Sequence, residues 1–223
     1  MDDLTTLEII NLLTIGLSSL YMKNHVPSDI PEHGQFIDGN NLKSQDYLAQ
    51  INAWTEDHKM VISEKKTKAM IFNFTDNYQF TTRLQLKGKN IEVVDKMKIL
   101  GTIVDSKLSW EENCSMLIKK VNTRMQLLRG IKSFGASVDE MVHLWILFCR
   151  SVIEQSCVVW TTTLNQENIE DLERTQKTFA KLVLREKYQN YEEALLKLNL
   201  DSLELRRTNL GLKFHKLGSK TKH

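Results

Sequence analysis

The chain has 223 residues, enough for one large domain or two small ones, with 30 basic and 28 acidic side chains and a formal net charge of +2. A composition of 41% hydrophobic and 26% charged residues excludes wholesale disorder. The near balance of charge neither requires nor excludes a nucleic-acid partner. Three cysteines are too few for a disulfide framework, so they favour an intracellular, reducing compartment and buried side chains.

The chain opens MDDLTTLEII, where two adjacent acids, Asp2 and Asp3, come shortly before an apolar run over residues 9–22. That run contains polar residues and is shorter than the ~20 residues that span a bilayer, so it predicts core and no membrane association. The acidic start also lacks the positive charge of a secretory signal. Composition leaves two interpretations of the acids: solvated aspartates, or a hairpin tip whose carboxylates hold a divalent metal.

Residues 1–110 mix short strand-like runs with turns and one helix. The polar stretch NHVPSDIPEHGQFIDGNN predicts a loop, and helical spacing of apolar residues predicts a helix from about Leu42 to Lys59. The run AMIFNF predicts a buried strand. RLQLKGKNIEVV predicts a hairpin with a type II′ turn at Gly88-Lys89. KMKILGTIVD predicts a further strand, in which Gly101 indicates a bulge or a close backbone approach.

Residues 111–223 change to helical periodicity. An apolar stripe beginning near Met116 predicts a helix closed by Gly135. Ser137 and Glu140 have the spacing of a capping box, which opens the next helix. That helix runs through HLWILFCRSVIEQSCVVW and predicts the centre of a bundle, apolar on all sides, with His143 in the core. Asn165 predicts the cap of a third helix, and two shorter helices follow near 191–198 and 202–216. The expected fold class is therefore α+β, with an all-α region after residue 110.

Several segments, taken in order, resemble one family. MDDLTTLEI looks like the end of the aromatic-x-Asp-Asp hairpin of reverse transcriptases. WTEDHKMVISEKKTKAMIF is similar to the next palm segment of non-LTR retrotransposon polymerases, and KMKILGTIVDSKLSW to the following one, which grips the primer end. HLWILFCRSVIEQSCVVW and NIEDLERTQKTFAKLVL resemble the region after the palm in jockey-like and LINE-like elements.

The resemblance implies a partial palm of antiparallel sheet and helices over residues 1–110 and a helical thumb-like region over residues 111–223. It assigns Asp2 and Asp3 to catalysis and to Mg²⁺ binding. It places the leucine and glycine of the primer-grip turn at Leu100 and Gly101. It also places a basic bend near nucleotide phosphates, with the lysines Lys65, Lys66 and Lys68. From composition alone, that bend has a second interpretation as a solvated turn.

The implied activity is RNA-directed DNA synthesis, with an RNA template and DNA primer duplex as the partner. The family's metal site also needs a carboxylate on an earlier strand, and its fingers select the nucleotide. We expect neither in this chain, and we therefore expect it to be inactive alone. The alternative is a non-catalytic helical binding or interaction protein derived from such an element.

Overall fold

The computed structural model describes residues 42–63, 66–72 and 84–220. The chain divides into two compact units, Met1–Lys107 and Leu108–His223. The described part of the first unit contains a helix and short strands, and that of the second unit contains helices. The coarse α+β prediction is therefore confirmed. In this division Trp110, which the sequence analysis placed at the end of the first region, belongs to the second unit.

The described part of the first unit contains one helix, α1 (Leu42–Asp57), and six strands that form three separate two-stranded sheets. The strands are β1 (Lys68–Ala69), β2 (Gln85–Leu86), β3 (Lys89–Asn90), β4 (Glu92–Val93), β5 (Lys96–Ile99) and β6 (Thr102–Asp105). Helix α1 ends where Lys59 takes a left-handed φ of 56° and Met60 N–H bonds back to Thr55 O at 2.8 Å. This is a Schellman-type end, so the predicted helix is confirmed.

The β2–β3 hairpin turns one residue earlier than predicted. Leu86 pairs with Lys89, so Lys87 and Gly88 form the two-residue turn, with φ values of 52° and 75°. Two positive φ values are those of a type I′ turn, so the type II′ prediction at Gly88-Lys89 is wrong. The physical reason is strand register, because a one-residue shift would turn buried Leu86 to the opposite face.

KMKILGTIVD is a hairpin and not one strand. Ile99 pairs with Thr102, and Leu100 and Gly101 make the turn with φ values of 45° and 93°. Gly101 therefore supplies a turn conformation and not a bulge. Val104 on β6 is buried, so it marks the face of the hairpin that points away from solvent.

Strand β1 pairs in parallel with β4, with Lys68 opposite Glu92 and Ala69 opposite Val93. The regular strand covers only the start of AMIFNF, but Met70 and Phe72 are buried as predicted. The last two residues of that run lie outside the described residues.

The second unit is a set of packed helices with short connections. Its elements are α2 (Glu111–Ser133), α3 (Val138–Leu144), a π-helical segment (Trp145–Arg150), α4 (Ser151–Glu154), α5 (Cys157–Trp160), α6 (Gln166–Leu184), α7 (Tyr191–Leu198) and α8 (Leu203–Lys220), with 3₁₀ turns at Thr161–Thr163 and Arg185–Lys187.

The predicted caps of these helices are confirmed. Gly135 follows α2 with a φ of 96° and donates its N–H to Lys132 O. Ser137 caps α3, because its hydroxyl accepts from Glu140 N–H and Glu140 accepts from Ser137 N–H at 2.8 Å. Asn165 caps α6 by accepting from Asn168 N–H at 2.8 Å.

The π-helical segment aligns a row of buried side chains. Met141, Trp145, Cys149 and Ile153 recur every four residues, and all are fully buried. In an α-helix of 3.6 residues per turn, each four-residue step drifts by about 40°, so four such positions would leave one face. The wider i→i+5 turns of Trp145–Arg150 offset that drift.

This geometry contradicts two predictions about the same stretch. The helix is not buried on all sides, because Leu147 and Phe148 fall between the aligned positions and are exposed. His143 is also exposed, so its assignment to the core is wrong. The helix is broken as well, since Ser156 takes a φ of 54° between α4 and α5.

The three cysteines, Cys114, Cys149 and Cys157, are buried and form no disulfide, as predicted. Burial raises the pKa of Cys114 and of Cys149 to about 11. Both therefore remain neutral thiols near pH 7 and are poor nucleophiles.

Candidate nucleic-acid interface

The predicted metal ligands, Asp2 and Asp3, and one basic residue, Lys65, lie outside the described residues. Their roles and the Mg²⁺ site therefore remain predictions. Across 42–63, 66–72 and 84–220, no three His, Cys, Asp or Glu side chains converge in a way that would hold a metal ion.

The two other lysines of the predicted basic bend, Lys66 and Lys68, lie at or next to β1. Lys66 is exposed, and its N–H bonds to Ser63 O at 3.1 Å. Lys68 Nζ is 3.0 Å from Glu92 Oε2 across the parallel bridge, and both side chains are partly in solvent. Exposed ion pairs contribute about 0–1 kcal/mol, so this pair does not prevent Lys68 from engaging a phosphate.

Leu100 and Gly101 stand together at the tip of the β5–β6 hairpin. Leu100 is 68% exposed although it is apolar, and its φ of 45° is in the left-handed region. That region costs a non-glycine residue about 1–2 kcal/mol, and type I′ turns favour Asn, Asp or Gly there.

Strand β1, which contains Lys68, lies next to the base of the β5–β6 hairpin and not next to its tip. Ala69 O accepts from Val94 N–H at 2.9 Å, and the next residue, Asp95, accepts from Ser106 N–H at 2.7 Å at the hairpin base. Since β5 has four residues at about 3.3 Å each, roughly 13 Å separate base and tip. Strand β1 is thus connected to the base of the hairpin, whereas Leu100 and Gly101 lie at its tip.

A cleft lies between α1 and the β2–β3 hairpin, with a volume of about 260 Å³. Gln45 joins the two elements, because its amide donates to Gln85 O at 2.8 Å and accepts from Gln85 N–H at 2.9 Å. Asn52 lines the cleft, and its buried Oδ1 has no hydrogen-bond partner among the described residues.

The second unit contains a buried polar network that sequence reasoning missed. Gln176 is fully buried; its Oε1 accepts from Trp145 Nε1 at 3.0 Å, and its Nε2 donates to Tyr191 Oη at 3.0 Å and Asp201 O at 2.9 Å. Burial, and then a hydrogen bond donated to Glu173, raise the pKa of Tyr191. Tyr191 therefore acts as a neutral donor and not as an acid.

Glu173 links this network to the start of α8. Its carboxylate accepts from Leu203 N–H at 3.1 Å and Glu204 N–H at 3.2 Å. It thereby satisfies two of the first N–H groups of a helix whose positive end favours an anion. The sequence feature that could have revealed this network is the stretch NIEDLERTQ. In a helix it places the polar Glu173 and Gln176 on the same face as the apolar Leu172.

Arg207 is the least compensated charge in the described part of this unit. It is 1% exposed, yet its Nε and Nη1 have no hydrogen-bond partner among the described residues. Burial lowers its pKa, and attraction to Glu173 partly offsets that effect. Trp160 lies with its ring centroid 6.0 Å from the guanidinium carbon.

A further ion pair joins α4 to α8. Arg206 binds Glu154 through two contacts, Nε to Oε1 at 2.5 Å and Nη2 to Oε2 at 3.2 Å. Arg150 Nε is 3.4 Å from Glu154 Oε1 but is not aligned as a hydrogen bond. Glu154 therefore pairs chiefly with Arg206, and this partly buried pair fixes the two helices to each other.

The chain matches no protein-family model, no curated protein and no solved structure. No single helix among the described residues has the length and apolarity to cross a membrane. One pair of helical segments reaches that length and apolarity only when the two are taken together, and a bend of 44° separates them. They are Val138–Glu154 and Cys157–Thr163.

Proposed function

We propose that this chain corresponds to the C-terminal palm and the helical thumb of a non-LTR retrotransposon reverse transcriptase, and that its own activity is binding of an RNA–DNA duplex. The order of the resembling segments along the sequence motivates the proposal. The observation that carries it is Leu100, an exposed leucine held in a strained left-handed turn. Lys87 takes the same backbone region in the β2–β3 turn, so the feature that distinguishes Leu100 is the combination of this conformation with an exposed apolar side chain at a hairpin tip.

The hairpin dimensions support a duplex as the partner. One strand of a duplex advances about 3.4 Å per phosphate, so a hairpin of roughly 13 Å extends past about four phosphates. Lys68 at one end supplies a cation for the backbone, and Leu100 at the other supplies an apolar contact for the primer end. Contacts of this kind position a duplex without reading its sequence.

The helical region supports a separate thumb-like role. Trp110 is buried, and its Nε1 donates to Thr163 Oγ1 at 2.7 Å, so the start of α2 is fixed to the 3₁₀ turn Thr161–Thr163 of the same unit. This unit also has its own apolar core and confirmed helix caps.

Duplex binding is tested by titrating a fluorescent RNA–DNA hybrid with the full chain at several salt concentrations. Substituting Gln for Lys65, Lys66 and Lys68 should weaken binding and reduce the slope of log K against log salt by roughly one for each phosphate that is no longer neutralised. The matched control substitutes Gln for three lysines of the second unit, Lys187, Lys197 and Lys213. Equally weakened binding in both triple variants, or no binding by the wild type, would refute the proposal.

Catalysis by the chain alone is tested separately by primer extension with Mg²⁺. We expect no extension, because the resemblance assigns only Asp2 and Asp3 to a metal site that needs a further carboxylate. Template-dependent extension that disappears in Asp2→Asn would show that the chain is an active polymerase, and the inactivity prediction would be wrong.

The second candidate function is a non-catalytic helical interaction protein. The apolar core of the second unit favours it, because Met125, Phe179 and Leu203 are all buried on its helices. No affinity for the hybrid, together with a stable complex with another protein, would favour this candidate over the first.

A further inference from the structure

The cleft between α1 and the β2–β3 hairpin, called here the α1–hairpin cleft, follows one face of the helix. From Gln45 to Glu56 this face is roughly 16 Å long at 1.5 Å per residue. The two elements contact each other near both ends of it, through the Gln45–Gln85 hydrogen bonds and through an ion pair between Lys87 and Glu56. The α1 residues that line the cleft share this face because they recur at helical spacing, and they are Gln45, Leu48, Ala49, Asn52, Ala53 and Glu56.

The volume and walls of the cleft limit what it holds. Its 260 Å³ is just below the roughly 300 Å³ at which pockets for small-molecule ligands begin, so it suits a group the size of an amino-acid side chain. Leu48 and Leu86 supply apolar wall, whereas Asn52, Glu56 and Lys87 supply polar atoms. A ligand of this cleft is therefore small, with a polar head that tolerates apolar neighbours.

The polar atoms of the cleft favour a ligand that donates hydrogen bonds. Asn52 Oδ1 is buried without a partner among the described residues, and Asn52 Nδ2 donates to Glu56 Oε1 at 3.0 Å. Lys87 Nζ is 3.6 Å from the same Oε1, which is longer than the roughly 3.2 Å limit of a good N–H···O bond. Both contacts involve Oε1, so the Glu56 carboxylate keeps acceptor capacity on Oε2. Amide and carboxylate acceptors together select a cation with several N–H groups.

A guanidinium matches these walls better than an ammonium does. It is planar, carries five N–H donors in a fork that fits a carboxylate, and is more weakly hydrated, so it loses less on contact with leucine side chains. The ammonium of Lys87 is held only loosely, because its side chain is 31% exposed and that of Glu56 is 57% exposed. Exposed pairs of this kind contribute little to stability, so a better-fitting cation can replace Lys87 beside Glu56.

We propose that the α1–hairpin cleft binds a guanidinium group, with Glu56 as its carboxylate partner and Asn52 as a second acceptor. The group takes the place of Lys87 Nζ and forms the paired N–H···O contacts typical of guanidinium and carboxylate. The Asn52 amide has to rotate for this, because Oδ1 is buried. The same rotation releases Glu56 Oε1 from Asn52 Nδ2. This inference goes beyond duplex binding and does not rest on it.

The first probe is methylguanidinium, added to the ¹⁵N-labelled full chain and followed by two-dimensional NMR. It should shift the side-chain amide signals of Gln45 and Asn52 saturably, with a dissociation constant on the order of 1 mM for so small a ligand. Methylammonium has the same charge without the planar fork and should bind at least about fivefold more weakly.

Three variants test the assigned partners. Glu56→Gln should weaken methylguanidinium binding by about tenfold or more, because a hydrogen bond to a charged acceptor is lost. Lys87→Gln should strengthen it by about two- to fivefold, because the competing cation is removed. A gain in affinity cannot come from a general loss of folding. The matched control is Glu92→Gln, which should leave binding unchanged, because Glu92 also pairs with a lysine, Lys68, in the same unit but outside the cleft.

Two further probes distinguish the source of the guanidinium. N-acetyl-arginine methylamide represents an arginine side chain of a protein, and N-acetyl-lysine methylamide is its control of equal charge. Tighter binding of the arginine derivative than of methylguanidinium would assign the cleft to a protein arginine. Equal or weaker binding would assign it to a free guanidinium compound. Both results support the proposal, provided that the lysine derivative binds more weakly than the arginine derivative.

The proposal is overturned if methylguanidinium gives no saturable shift, if methylammonium binds equally well, or if Glu56→Gln binds methylguanidinium as tightly as the wild type. Unchanged or weaker binding by Lys87→Gln would also overturn it, because Lys87 would then not compete for Glu56. Leu100→Asn, which tests the duplex proposal, should leave methylguanidinium binding unchanged, so the two proposals fail separately.

Discussion

The left-handed conformation of Leu100 predicts an unusual mutational response at the tip of the β5–β6 hairpin. Asn tolerates this backbone region better than other non-glycine residues, because its short polar side chain can bond locally. Leu100→Asn relieves strain but removes the apolar contacts of a side chain that is about one-third buried. Leu100→Ala removes the same contacts and keeps the strain.

The comparison of these two variants isolates the strain. We expect Leu100→Asn to be more stable than Leu100→Ala by about 1 kcal/mol, the lower end of the cost of a left-handed residue. Hydrogen exchange of the β5 and β6 amides reports that difference locally. A gap of about 1 kcal/mol is roughly a fivefold difference in exchange rate when exchange follows opening of the hairpin.

The β2–β3 hairpin supplies an internal control. Lys87 has a φ of 52° in an equivalent turn before Gly88, so Lys87→Asn should also be more stable than Lys87→Ala. Only the Leu100 pair should weaken binding to the RNA–DNA hybrid. If Leu100→Asn is no more stable than Leu100→Ala, the strain argument is wrong. If both Leu100 variants bind the hybrid normally, the functional argument is wrong.

The remaining predictions concern the helical unit. Ser137→Ala should destabilise it by about 1 kcal/mol in urea denaturation, because the cap of α3 is removed. Hydrogen bonds from the backbone and hydroxyl of Ser137 lower the pKa of Glu140 below its ordinary 4.5. The part of the stabilisation that comes from these bonds to the ionised carboxylate is therefore complete above that value and disappears as pH falls through the lowered pKa, whereas the bond from Glu140 N–H to the Ser137 hydroxyl remains. Ser137→Ala keeps the backbone N–H donor, so NMR titration should show the Glu140 pKa rising only part of the way toward its ordinary value, and no rise would contradict the capping assignment. Glu173→Gln should cost about 3 kcal/mol, because it leaves the buried charge of Arg207 uncompensated. Arg207→Met should cost less than about 1 kcal/mol, because Glu173 keeps its hydrogen bonds from Tyr191, Leu203 N–H and Glu204 N–H. If thermal or urea unfolding shows the same loss of stability for both variants, the expected difference between Glu173→Gln and Arg207→Met is wrong.

Local signals in the sequence predict the helix ends well. Ser137 and Asn165 form the caps that their spacing indicates, because a cap depends on residues three positions apart. The burial of the cysteines follows in the same way from their apolar neighbours. These features need no knowledge of what packs against them.

Strand register and helix type cannot be predicted from residues close in sequence, because they depend on what packs against the element. The turn at Lys87-Gly88 differs by one residue from the prediction, because the packing of Leu86 chooses between two turns that the sequence allows. The π-helical segment was not predicted, although Met141, Trp145, Cys149 and Ile153 recur at intervals of four. An apolar helix with that repeat favours either burial on all sides or a wider turn, and only tertiary packing decides between them.

The candidate site was predictable in part. Leu100 and Gly101 form a hairpin turn, and their contact with a primer end stays a prediction. Asp2, Asp3 and Lys65 lie outside the described residues, and their roles stay predictions as well. From the sequence, Glu173 and Gln176 were visible only as polar residues on the same helix face as Leu172. Their partners, Tyr191 and the first residues of α8, lie well downstream and cannot be paired with them by spacing.

The interaction between Glu173 and the start of α8 has a consequence for the order of folding. The last helix takes part of its N-terminal capping from a side chain 30 residues earlier, at Leu203 N–H. That capping is absent until α6 has taken its place. The C-terminal helix should therefore consolidate late and unfold together with α6, so that the helical unit behaves cooperatively and not as a row of independent helices.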